Sequence, residues 1–249
     1  MAGLRRAVRL HSDPFVAVDI FVKNNWANVF GYQALKVNKK SKRFSIGVKS
    51  SWSFANLIRH HGNAVFLDSS WRNKNENRAP LTFVATTNAA GHMVPCACAA
   101  YLSADATTSS FEHLLASLEE EVLKEAEKIC EESINDPNLD PDDILYVNAA
   151  KIQEQGTWHP AVVMIDKCRA ELNALQSVWP ETQVRLCQFH ILQAICRWDT
   201  DAKAGSQKPP GINRKDKPGI CAAFREAQRC GNMDDWPAAR VTFDAAIKA

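Results

Sequence analysis

Ala64-Val65-Phe66-Leu67-Asp68 and Val162-Val163-Met164-Ile165-Asp166 decide how this chain is read. Each is a short apolar run closed by a single carboxylate. Such a run reads as a core β-strand that delivers an acid to the rim of a sheet. A carboxylate at a rim stays ionised and hard, which suits Mg²⁺ or Mn²⁺, and two from neighbouring strands can hold a cation against a phosphate oxygen. The competing reading is structural: an Asp at a strand end caps the helix that follows.

Working outward, Asp68 is followed by a polar, Asn-rich turn over 69–78, a strand over 81–87, a turn at Asn88-Ala89-Ala90-Gly91 and a strand over 93–102. Three strands joined by polar turns predict an antiparallel meander. Ser109 with Glu112 forms a capping box, and Phe111, Leu114, Leu115, Leu118, Val122, Ala126 and Ile129 continue at helical spacing. Pro137 and Pro141 mark a loop, and 144–156 has no clear period. A strand over 161–166 then leads to a helix over 168–179 stopped by Pro180, a strand over 183–189 and a helix over 190–199. Upstream, Val16 to Val22 and Phe44 to Val48 read as strands flanking Asn28-Val29-Phe30-Gly31-Tyr32, a small lobe over residues 1–60.

At 249 residues with 46% hydrophobic content the chain can bury a sizeable core. No apolar stretch approaches the ~20 residues of a membrane span, and the first residues lack a secretory h-region. Eight cysteines without a Cys-x-x-Cys pair suit buried thiols in a reducing compartment rather than a disulfide framework. The net charge of +2 hides segregation: residues 1–60 carry +9, including Lys39-Lys40-Ser41-Lys42-Arg43, and residues 112–143 carry −10. A basic lobe beside a carboxylate site fits a bound polyanion; a solvated basic face is the plainer explanation. No Walker loop, dinucleotide fingerprint or nucleophile elbow is present.

The order β-β-β-α-β-α-β-α, with an acid on the first and fourth strands, is the layout of a ribonuclease H-like α/β core. Val65-Phe66-Leu67-Asp68-Ser69-Ser70-Trp71-Arg72, Arg78-Ala79-Pro80-Leu81-Thr82-Phe83, Gly91-His92-Met93-Val94-Pro95, Val163-Met164-Ile165-Asp166 and Leu186-Cys187-Gln188-Phe189-His190 together resemble the Mutator-like (MULE) transposases in their fungal form. These stretches span roughly residues 60–200, and their shared order is more specific than any one of them.

The resemblance implies a nuclear enzyme of the Asp-Asp-Glu type that cleaves and joins DNA at transposon ends and target; an oligomer is compatible with the sequence, which does not fix the oligomeric state. Asp68 and Asp166 would match its first two catalytic carboxylates and hold Mg²⁺ or Mn²⁺. A third carboxylate is expected on a helix well downstream. After His190 the single Glu is Glu226, which reads better as an exposed helical charge beside Arg225 or Arg229. The sequence expectation is thus a basic lobe (1–60), a ribonuclease H-like core (61–200), and a linker with the start of a helical insertion (201–249) that stops in mid-domain.

Cys187 and His190 would be a family motif near the active site; a core thiol with a capping His is the alternative, and a zinc site lacks two further ligands at matching spacing. Arg72, Lys74 and Arg78 could reach phosphates, and Trp71, Trp158, Trp179 and Trp198 could stack on bases, although such aromatics are more often core. His60-His61 is explained as well by a helix end as by a ligand pair. Against the transposase stands a non-enzymatic DNA-binding or regulatory protein derived from one.

Overall fold

In the computed structural model the described residues are 10–37, 42–50, 52–70, 80–95, 100–103, 105–135, 140, 142–198, 211–230 and 236–248. The turn carrying Trp71, Arg72, Lys74 and Arg78, the basic residues 39–41, Cys96 and Cys98, Pro137 and Pro141, and the linker prolines 209–210 lie outside them. The chain forms two compact units, Met1–Arg185 and Leu186–Ala249.

The first unit is mixed α/β. Its strands are β1 (Val29–Val37), β2 (Lys42–Val48), β3 (Val65–Ser70), β4 (Leu81–Thr87), β5 (Met93–Pro95), β6 (Ala100–Ser103), β7 (Val162–Ile165) and β8 (Gln183–Leu186). They join one sheet in the order β1-β2-β6-β4-β3-β7-β8, with β5 also on β4. The strands expected in the N-terminal lobe and in the core therefore share hydrogen bonds, through the antiparallel β2–β6 pair. The strand expected over 93–102 is described as two pieces that pair with β4 in different registers: Thr86 pairs with Val94, whereas Leu81 pairs with Leu102.

One expected strand is a helix. Val16 to Val22 lies within α1 (Pro14–Asn24). Asp13 Oδ1 accepts the N–H groups of Phe15 and Val16 at 2.8 and 3.3 Å, and Pro14 brings a preset φ to the first turn. Phe15, Val18 and Val22 recur at helical spacing and pack with Val29, Phe44 and Ile46 in a small cluster of their own. That shared face, not the β-branched composition, decides the local state.

The main core lies between the sheet and four helices: α2 (Ser53–Arg59), α3 (Thr108–Asn135), α4 (Ile144–Gln155) and α5 (Arg169–Val178). Along α3, Phe111, Leu114, Leu115, Leu118, Val122, Ala126 and Ile129 are all buried, the stripe read from the sequence. Its cap sits earlier than expected. Thr107 Oγ1 accepts from the Ser110 N–H at 3.3 Å and Ser110 Oγ accepts from the Thr107 N–H at 2.9 Å, a reciprocal box that starts the helix at Thr108.

Helix α4, where the sequence showed no period, is well capped. Asp143 accepts the Leu145 N–H at 2.8 Å, and Gly156 closes the helix in the left-handed conformation at φ 64°. Its buried stripe includes Asn148, whose amide donates to the carbonyls of Ile58 and Arg59 at 3.0 and 3.3 Å and so satisfies the C-terminal end of α2. Glu119 of α3 accepts from Thr157 Oγ1 at 2.6 Å and from Trp179 Nε1 at 3.2 Å. Trp158 and Trp179 are both buried and meet edge to face at 5.5 Å, so neither is a free stacking platform.

The second unit holds α6 (Gln188–Arg197), α7 (Lys217–Gln228) and α8 (Trp236–Lys248). Within it the buried Lys217 donates to the Cys196 carbonyl at 2.6 Å, and Phe224 packs on Phe243 at 5.9 Å. Among the described residues, no helix is long and apolar enough to cross a membrane. The six described cysteines are free thiols.

Candidate metal centre

β3 and β7 are adjacent and parallel, with Val65 opposite Val163 and Phe66 opposite Met164. Carried two residues on, that register puts Asp68 level with Asp166. Neighbouring strands lie ~4.8 Å apart, so the backbones of the two residues fall on neighbouring chains toward the carboxyl ends of β3 and β7. Asp68 is exposed, between the buried Leu67 and Ser69, and Asp166 is half-buried where β7 gives way to the turn into α5. The two residues singled out from sequence are thus brought to one edge of one sheet.

A third carboxylate joins them, and it was not foreseen. Glu171 stands in the first turn of α5, five residues beyond Asp166, and is 1% exposed. Its Oε1 accepts from Ser69 Oγ at 2.7 Å, and Ser69 Oγ lies 3.0 Å from Thr82 Oγ1. Its Oε2 is buried with no hydrogen-bond partner. Ligand atoms of Asp166, Cys168 and Glu171 lie within 4.8 Å of one another, and these three are the only such group among the described residues.

The electrostatics follow from this crowding. Burial pushes the Glu171 carboxyl up to about 7; the Ser69 hydrogen bond opposes the shift, and the charges of Asp166 and Asp68 add to it. Burial also raises the Cys168 thiol, with first-turn N–H groups opposing and the neighbouring carboxylates adding. Carboxylate oxygens gathered in this way suit a hard divalent ion. The orphaned Oε2 is the observation in the chain that fits such an ion.

The sequence carried a signal for Glu171 that was passed over. Glu171, Ala174 and Leu175 occupy one face of α5 at i, i+3 and i+4, and all three are buried. A carboxylate on the apolar stripe of a helix that follows a strand-end Asp marks a site rather than a solvated face. The helix N-terminus also favours an acid there.

The other candidates fall elsewhere. Cys187 precedes α6 and His190 lies in its first turn, both half-buried; no third ligand gathers with them among the described residues. Glu226 is exposed on α7 in the second unit. Trp198 is half-exposed at the end of α6. His61 stays below its ordinary value through burial, with Lys151 and His159 adding, as expected of a helix-end histidine turned inward.

Residues 143–194 match the family model of the MULE transposase domain, which supports a MULE transposase domain in this chain. The matched stretch runs from the cap of α4 through β7, α5 and β8 into α6, and includes Asp166, Glu171, Cys187 and His190, but not Asp68. No curated protein and no solved structure matches the chain.

Proposed function

We propose that this chain is the catalytic core of a MULE-type DNA transposase, a metal-dependent enzyme that cuts and joins DNA strands. The observation that carries the reading is the parallel pairing of β3 with β7, whose register, carried two residues on, brings Asp68 level with Asp166. The strand order β6-β4-β3-β7-β8, with the meander first and the parallel strands after, supports a ribonuclease H-like fold. In such sheets ligands gather at the carboxyl ends of the strands.

Asp68 and Asp166 would hold Mg²⁺ or Mn²⁺ in this reading. A divalent cation there supplies Lewis-acid stabilisation of charge on phosphoryl oxygens and activates the attacking hydroxyl. Of the pair that would hold the ion, Asp68 is exposed and Asp166 half-buried. The substrate is DNA, transposon ends and target, with the nucleus as the place of action. The +9 segment of residues 1–60 supplies phosphate attraction, and Cys187 and His190 are a family motif serving the same reaction.

Plasmid nicking tests the proposal. Nicking should require Mg²⁺ or Mn²⁺ and drop to the no-protein level in Asp68→Ala and in Asp166→Ala, with circular dichroism unchanged. Nicking that survives either substitution removes the mechanism. Salt-sensitive DNA retention with no nicking under any metal would instead favour a non-enzymatic DNA-binding protein derived from a transposase.

A further inference from the structure

We propose that Glu171 is a carboxylate ligand of the cation site beside Asp166, so that a further acid is supplied within the first unit. The inference rests on the reading of Asp68 and Asp166 as a metal-holding pair, and it goes beyond that reading by giving the third ligand to the helix directly after β7 rather than to a residue far downstream.

Three independent features of Glu171 point to a ligand. First, the side chain is buried in a place where the helix stripe calls for an apolar residue; Ala174 and Leu175 occupy the next turns of the same face. Second, its carboxylate is held at one oxygen only. Ser69 Oγ donates to Oε1 at 2.7 Å, which fixes the group's orientation, and leaves Oε2 enclosed with no partner. A buried acceptor without a donor is a rare and unfavourable state. Third, Glu171 belongs to a group whose ligand atoms, from Asp166, Cys168 and Glu171, lie within 4.8 Å of one another.

A structural role alone explains the Ser69 bond but not the second oxygen or the acidic company. Had Glu171 served only to receive Ser69 Oγ, a Gln would do so without like-charge repulsion from two aspartates. A cation reverses the sign of every one of these interactions at once. Ser69, next to Asp68 on β3, then acts as a positioning residue, tying the helix-borne ligand to the strand that carries the first acid. Cys168 lies within the same group, with its thiol pushed up by burial.

Mn²⁺ binding to the full chain, followed by calorimetric titration and by the loss of free-ion paramagnetic resonance signal, tests the assignment without reference to activity. The wild-type chain should bind Mn²⁺, and Glu171→Gln should weaken it by at least about tenfold, the loss that changes beside a metal commonly bring. The Gln variant keeps the shape and the Ser69 contact, so its metal-free circular dichroism should match the wild type. If it does not fold, Glu171→Asp, which keeps the charge and withdraws the carboxylate by one methylene, should show a comparable weakening. Unchanged Mn²⁺ affinity in whichever variant folds overturns the proposal. Glu171-dependent Mn²⁺ binding without DNA nicking would sink the transposase reading and leave this site standing; Mn²⁺-dependent nicking indifferent to Glu171→Gln would do the reverse.

Discussion

At the scale of the residue, Glu171 carries a consequence for stability that needs no metal. Its carboxyl titrates at about 7 in the folded chain, against the ordinary 4.5 of an unhindered glutamate. Below 4.5 it is protonated in both states and adds nothing to the pH dependence. As pH rises from there the unfolded chain gives up the proton and the folded chain keeps it, so folding weakens until pH passes about 7. The shift corresponds to a loss on the order of 3 kcal/mol. Urea unfolding in the presence of a chelator should show wild type losing stability relative to Glu171→Gln between pH 4.5 and 8. Parallel curves for the two proteins would mean that Glu171 is ionised without penalty. Divalent cation should abolish the difference on the alkaline side.

At the scale of the element, glycine separates two causes of the same substitution's cost. Gly47 of β2 pairs with Phe30 of β1, and a Cβ at Gly47 would stand 2.3 Å from the Phe30 ring. Phe30 is itself buried and packed edge to face on Phe54 at 5.4 Å, so the ring has nowhere to go. Gly156, at the end of α4, has φ 64° and open space around its Cβ position. Gly47→Ala should therefore cost about 2–3 kcal/mol by overpacking, and Gly156→Ala about 1 kcal/mol by backbone conformation alone. Chemical denaturation of the two variants checks the order, and equal losses would contradict the sheet register at β1–β2.

The same scale shows what was legible in the sequence. The apolar runs ending in Asp68 and Asp166 were readable because they are short and unbroken, although in the structure both strands bury alternate residues. The stripe of α3 was readable because its period is unbroken. What escaped reading shares one cause: a polar group doing a buried job. Asn148 breaks the stripe of α4 in order to cap α2, and Glu171 breaks the stripe of α5 in order to reach Ser69. Hydrophobic periodicity scores both as noise. For α1 the error ran the other way, since β-branched residues in Val16 to Val22 outweighed the Asp13-Pro14 start signal that the structure obeys.

At the scale of the whole molecule, the division after Arg185 separates two sets of claims. Every residue of the main core, from Phe30 to Trp179, and all three carboxylates lie in the first unit, whereas Cys187, His190 and Glu226 lie in the second. A unit with its own core is expected to fold by itself. A fragment ending at Leu186, which keeps β8 whole, should unfold cooperatively and bind Mn²⁺ within about threefold of the full chain, since the proposed ligands all precede its end. Cooperative unfolding with Mn²⁺ affinity lost would show that the second unit supplies a ligand, and would return Glu226, Cys187 and His190 to the search. Retained Mn²⁺ binding with lost nicking would assign the second unit to DNA rather than to metal. Adding Glu171→Gln to the fragment closes the test: the same fall in affinity as in the full chain is expected, because the acid, its Ser69 anchor and the two aspartates are all carried by residues 68–171.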